Sequence, residues 1–208
     1  MAVQIRVNED FLERLKLGMP SLNLDSSLRA KRRTGRHLGV HGPYDAKGRL
    51  IADGLVRLID KAVIEYGEAK SELVQFFPDG YLFRYHRAQD HFENFVNSLH
   101  RAVTYLDRLR GLGYRGPDGS LLIPRPRDIE VLQDSSKQSI RVFRDLLEHL
   151  DKDILEGRLD ASGDVGPSLG SDEARIGNAT LKYADAARWC SQLHVIAEHL
   201  SYVVLRLR

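Results

Sequence analysis

The sequence predicts an all-α protein, a bundle of about four long helices with a small β-hairpin before the last helix. Apolar residues recur at steps of three and four along four long stretches, the spacing of helices that bury one face. Connections rich in glycine and proline separate these stretches, and 208 residues suffice for one well-buried core. We expect the bundle to occupy residues 53–208, after an N-terminal extension of residues 1–52.

The N-terminal extension is predicted to contain little regular structure. Residues 3–7 alternate weakly and could form a short strand, and residues 10–17 could form a helical turn or two. A basic run follows and continues into a glycine-rich segment, which together we expect to form a loop. The run contains Arg29, Lys31, Arg32, Arg33 and Arg36. These side chains could hold RNA phosphates. A solvated, partly disordered loop is the alternative.

The first two long helices are predicted over residues 53–77 and 85–109. Pro78, Asp79 and Gly80 form a turn signal between them, and Gly111 and Gly113 end the second helix. Residues 111–128 then form a turn-rich connection.

The third helix is predicted over residues 129–157, with Asp128 as its N-cap. Its apolar stripe consists of Ile140, Phe143, Leu147, Leu150 and Ile154, and Leu146 widens it. After a loop, residues 174–183 are predicted to form a hairpin that turns at Gly177 and Asn178. The last helix is expected over residues 184–205.

Composition indicates a soluble, cytoplasmic protein without a membrane anchor. Hydrophobic residues make up 42% and charged residues 29%, and no stretch approaches the roughly 20 apolar residues of a spanning helix. The single cysteine, Cys190, excludes an internal disulfide and suits a reducing compartment. Because the net charge is only +2, an anionic partner would have to be attracted by a local basic patch.

The third predicted helix carries Arg144, Asp145 and His149 on its polar side, within the sequence RDLLEH. This segment resembles the signature helix of the HEPN superfamily, in which an arginine and a polar residue precede a histidine by a short gap. The spacing alone is common in this chain, for example from Arg188 to His194, but there Trp189 follows the arginine. The resemblance implies a bundle of four or five helices and an RNase of the toxin or host-defence type. It also implies a site built at a dimer interface.

The chemistry of these residue types fits RNA cleavage without a metal. His149 could act as general acid and base during attack by the 2′-hydroxyl, and Arg144 could bind and polarise the phosphate. Asp145 precedes His149 by four residues and could orient its ring. However, Arg144 and His149 lie roughly 140° apart around an ideal helix. A site would need a wide cleft, a distorted helix or a second copy.

A non-catalytic interpretation explains the same residues. Arg144 would pair with Glu148, and His149 with Asp145 or Asp153, on a solvated helix face. The protein would then be a helical module that dimerises or binds a partner such as a cognate antitoxin. The sequence predicts neither a metal nor another cofactor, because the paired histidines on the predicted helices do not share a face. The pairs are His86 with His91 and His194 with His199, and His100 is a further histidine on the second predicted helix.

Overall fold

A computed structural model describes residues 17–25, 27–37, 44–116, 118–156 and 166–202. The helices are α1 (Leu28–His37), α2 (Ala46–Asp79), α3 (Leu82–Gly111), α4 (Asp134–Glu148), α5 (Leu150–Leu155) and α6 (Tyr183–Tyr202). The strands are β1 (Ser168–Leu169), β2 (Glu173–Ile176) and β3 (Ala179–Lys182). The predicted all-α bundle with a small hairpin is confirmed. The predicted strand at residues 3–7, almost all of the turn at 10–17 and the end of the last helix lie outside the described residues.

Helices α2 and α3 form the long antiparallel pair on which the other elements pack. Pro78 lies in the last turn of α2, and Gly80 follows it with φ of 63°, a conformation that glycine adopts without steric cost. The Gly80 amide donates to the carbonyl of Phe76 at 2.7 Å. Between the helices, the rings of Tyr66 and Phe95 pack edge to face with centroids 5.1 Å apart. The turn predicted at residues 78–80 therefore closes a helical hairpin. No described helix is long and apolar enough to cross a membrane.

The ring of Phe92 on α3 contacts both α4 and α6. Its centroid lies 6.2 Å from that of Phe143 on α4 and 5.6 Å from that of Tyr183 at the start of α6. All three side chains are completely buried. Edge-on packing of aromatic rings stabilises such contacts beyond the burial of their surface. The position of α4 is thus set by a three-way aromatic contact.

The hairpin prediction is confirmed, and a third strand extends it. Strands β2 and β3 pair antiparallel, with Ala174 opposite Leu181, and Gly177 turns between them with φ of 54°. Strand β1 pairs antiparallel with the other edge of β2. Ala174, Ile176 and Leu181 face the core, so the small sheet contributes one buried face to the bundle.

The loop predicted for the basic run is wrong, because residues 28–37 form helix α1. Leu28 is completely buried, and the carboxylate of Asp60 on α2 accepts a hydrogen bond from the Arg29 amide at 2.7 Å. This carboxylate caps the first turn of α1, where backbone amides lack partners within the helix. Helix α2 also begins earlier than expected, because Asp45 caps it at the Gly48 amide. The predicted boundary after residue 52 therefore falls inside α2.

The start of the third predicted helix is also wrong. Asp128 does not cap α4 but ends a short 3₁₀ turn, Pro126–Asp128, which a second turn, Glu130–Leu132, follows. Glu130 accepts hydrogen bonds from Arg188 and from the indole of Trp189 on α6. These contacts attach the connection to α6, and α4 begins only at Asp134.

The contact of Phe92 with Phe143 and Tyr183 predicts that replacing Phe92 destabilises the protein much more than replacing Phe83, which also lies on α3. Phe92→Ala should lower the free energy of unfolding by about 3–5 kcal/mol, because it leaves a cavity between three elements. Phe83→Ala removes a ring that is 57% exposed and should change it by less than about 1 kcal/mol. Urea denaturation of both variants measures the difference. Equal losses would show that the three-way contact does not hold α4 in place.

Candidate functional site

Helix α4 presents its apolar stripe to the core and its charged residues to solvent. Ile140, Phe143 and Leu147 are buried, while Leu146 and Leu150 pack against the core from its edge. The side chain of Ile154 lies outside the described part of the chain. The amphipathic pattern thus predicted the orientation of α4 correctly. Its exposed face carries Arg141, Arg144, Asp145 and Glu148.

The third predicted helix is interrupted at His149. Helix α4 ends at Glu148, His149 has φ of −107° and ψ of 12°, and α5 begins at Leu150. The His149 amide still donates to the Asp145 carbonyl at 3.1 Å, so the interruption directly follows a regular turn. The imidazole is exposed, and no described residue forms a hydrogen bond or ion pair with it. His149 therefore lies at a helix end with its ring open to solvent.

Arg144 is held by carboxylates of its own helix. Its guanidinium forms ion pairs with Asp145, at 2.9 Å, and with Glu148 one turn later. The side chain is 27% exposed. The non-catalytic interpretation predicted the pair with Glu148, and the pair is present. Arg144 nevertheless remains partly accessible to solvent.

Asp145 contacts arginines, and no contact with His149 is present. Besides the pair with Arg144, its carboxylate lies 3.6 Å from Arg141 one turn earlier. The predicted role of orienting His149 therefore has no contact to support it within one protomer. The predicted pair of His149 with Asp145 is likewise not formed, and the side chain of Asp153 lies outside the described residues.

The histidine that shares the electrostatic environment of Arg144 is His100 on α3. Burial lowers the pKa of His100, the charge of Arg144 lowers it further, and Asp145 and Glu148 oppose this effect. Its Nδ1 atom is buried and has no hydrogen-bond partner among the described residues. His100 also lines a groove of about 360 Å³ between α3 and α4, together with Lys137 and Arg141.

The position of His100 in the apolar pattern of α3 could have indicated its role, but a search for Arg-to-His spacing along one helix did not consider it. His100 directly follows the buried Leu99 and precedes the buried Val103 by three residues, so it borders the apolar stripe of α3. A polar residue at such a border faces the groove beside the neighbouring helix. Spacing along one helix could not reveal a residue contributed by another.

The basic run divides into paired and accessible side chains. Lys31 pairs with Asp25, and Arg32 pairs with Asp53 and also donates to the Leu200 carbonyl at 3.1 Å. Arg29 and Arg33 are exposed on α1 and line a second groove. The side chain of Arg36 lies outside the described residues. The five predicted RNA-binding residues therefore do not form one uniform surface.

The remaining histidines on α3 and α6 make separate contacts. His86 hydrogen bonds to Gln89 at 2.9 Å, His91 to Glu65 at 2.8 Å, and His194 to the Asp25 carbonyl at 2.7 Å. His199 is exposed. Among the residues that the structure describes, no three His, Cys, Asp or Glu side chains come together as a set that could hold a metal ion.

Comparison of the chain with models of known families, with curated proteins and with solved structures finds no match. The HEPN resemblance thus depends on the segment from Arg144 to His149 and stays a prediction.

The partly buried position of His100 predicts a pH dependence of stability. Its pKa is lower in the folded protein than the usual value of 6.5, so the unfolded chain binds the proton more readily. Below about pH 6.5, stability should therefore fall on acidification, as it does whenever the unfolded state binds more protons. His100→Gln should lose less stability than wild type between neutral and mildly acidic pH in urea titrations. His199→Gln, at an exposed position of α6, serves as the control and should behave as wild type. Equal losses in wild type and His100→Gln would contradict this role.

Proposed function

We propose that the protein is a metal-independent endoribonuclease of the HEPN toxin or defence type, which acts as a dimer on RNA in the cytoplasm. The observation that carries this proposal is the exposed imidazole of His149 at the end of α4, which no described residue contacts by a hydrogen bond or ion pair, five residues from a partly exposed Arg144. A histidine needed only for packing would be covered. An accessible ring near a guanidinium supports acid–base chemistry on a phosphodiester.

His149 would take the proton from a ribose 2′-hydroxyl as that oxygen attacks the adjacent phosphorus. The bond from phosphorus to the 5′-oxygen breaks, and a 2′,3′-cyclic phosphate remains. The leaving oxygen gains a proton from water, and His149 returns its own proton to the solvent. Arg144 would stabilise the charge on the non-bridging oxygens with its paired donors. Because the nucleophile is the 2′-hydroxyl, RNA is the substrate and DNA is not cleaved.

A second protomer would complete the site. Around an ideal helix, Arg144 and His149 would lie on different sides of the axis. Neither of them lines the groove between α3 and α4. In a two-fold dimer, Arg144 of one copy can face His149 of the other. Exposed apolar side chains on α4 and α5 would supply contact area for such a dimer: Val142 is 36% and Leu155 is 85% exposed.

The ion pairs of Arg144 are weak enough for the guanidinium to exchange them for a phosphate. Pairs between side chains that remain partly exposed contribute at most about 1 kcal/mol each. A phosphodiester can therefore compete with Asp145 and Glu148 for the guanidinium. Those acids would hold Arg144 in place until RNA binds.

RNA cleavage in the presence of EDTA tests the proposal. Wild type should release fragments that end in a 2′,3′-cyclic phosphate, and His149→Ala should lower the rate by about 10²–10⁴-fold because the acid–base group is lost. Arg144→Lys should also cleave slowly, since it keeps the charge but loses the paired donors. His199→Ala controls for the loss of an exposed histidine and should cleave normally.

Two results of this assay would refute the proposal: wild type that cleaves no RNA, or wild type and both site variants that cleave at one rate. Thermal unfolding of each variant should show that the fold is retained.

A non-catalytic helical interaction module is the second candidate function. The ion pairs of Arg144 with Asp145 and Glu148 favour it, because they use the guanidinium within the protomer. Such a module would dimerise or bind a partner protein such as an antitoxin. It predicts that wild type forms a stable complex but leaves RNA intact.

A further inference from the structure

The second groove lies between α1 and α2, and neither Arg144 nor His149 lines it. Its lining includes Arg29, Arg33 and Arg57 together with Asp53 and Gly54, and its volume is about 340 Å³. Arg57 lies on α2, outside the basic run, so the sequence pattern did not include it. The groove thus brings together arginines from two helices.

The backbone of α1 is firmly held, so these arginines project from a fixed helix. Asp60 caps the helix start, and Leu28 is completely buried beside it. At the next turn, Arg32 pairs with Asp53 and donates to the Leu200 carbonyl on α6. Arg32 is only 10% exposed, and it acts as a structural bridge between three helices.

The three other arginines of the groove remain accessible. Arg29, Arg33 and Arg57 are exposed, and none of them forms an ion pair or a side-chain hydrogen bond with a residue that the structure describes. The carboxylate in the groove, Asp53, is already paired with Arg32. The groove therefore carries an excess of positive charge in a chain whose net charge is only +2. Such a local excess attracts anions.

The geometry favours a phosphate backbone over a single small anion. Arg29 and Arg33 are one helical turn apart on the same face of α1, with Cβ atoms expected about 5–6 Å from each other. Arg57 adds a third donor from the opposite wall. Guanidinium groups form paired hydrogen bonds to phosphate oxygens. None of the described residues that line the groove is aromatic, so these residues offer no ring for base stacking.

We propose that the groove between α1 and α2 binds the phosphodiester backbone of single-stranded RNA through Arg29, Arg33 and Arg57, without reading its sequence. This inference deepens the proposed function and rests on it for the choice of RNA as ligand. Lys31 and Arg32, which the basic run also contains, do not take part. Their charges are used in ion pairs with Asp25 and Asp53.

Fluorescence anisotropy with a labelled single-stranded RNA oligonucleotide, titrated at several salt concentrations, tests the groove. The triple variant R29A/R33A/R57A should bind more weakly than wild type. For single strands the slope of log K against log salt is about −0.7 per neutralised phosphate. Losing three phosphate contacts should therefore make the slope of the variant less negative than that of wild type by roughly 2.

A matched triple variant, R125A/R127A/R175A, provides the control. It removes the same charge from exposed arginines that do not line the groove. Its salt slope should stay close to that of wild type. Equal flattening in both triple variants, or an unchanged slope in R29A/R33A/R57A, would overturn the inference. So would wild type that does not bind the oligonucleotide.

The same titrations separate this inference from the proposed function. RNA that binds with a groove-dependent salt slope but is never cleaved would uphold the groove and refute the nuclease. Cleavage and binding that are unaffected by R29A/R33A/R57A would uphold the nuclease and refute the groove.

Discussion

The buried contact of Phe92 with Phe143 and Tyr183 determines how the rest of the molecule is arranged. It ties α4 and the start of α6 to the middle of the long hairpin formed by α2 and α3. Since α4 buries this face, its charged residues must point outward, and the helix end with His149 stands at the surface. Close packing of this kind leaves α4 little freedom to rotate. The accessibility of the candidate site is therefore a consequence of the core.

Periodicity predicted the helices well because each one buries a continuous apolar stripe. It failed at His149, where apolar residues continue on both sides, at Leu147 and Leu150, and no glycine or proline marks the interruption. It also failed for α1, whose only completely buried apolar side chain is Leu28. The cap of that helix comes from Asp60, which is 31 residues away from Arg29. Local patterns carry no information about a partner so distant in the chain.

The candidate site was predictable only in part, for a similar reason. The motif identified Arg144 and His149, and the charged neighbours predicted the pair of Arg144 with Glu148. The environment of Arg144, however, includes His100 from another helix. The accessible arginines of the groove include Arg57, which lies on α2 and outside the basic run in the sequence. Both residues join their sites only after the helices pack. In each case the side chain lies next to the buried apolar residues of its own helix, and the packing of those residues brings it to the site.

The central claim is that Arg144 and His149 act together across a two-fold interface, and mixing two inactive variants tests it most directly. Arg144→Ala protomers are combined with His149→Ala protomers under conditions that allow subunits to exchange. If the site is shared, each mixed dimer keeps one intact site, and random exchange should restore about one quarter of the wild-type cleavage rate. A mixture that stays as inactive as either variant alone would contradict a shared site.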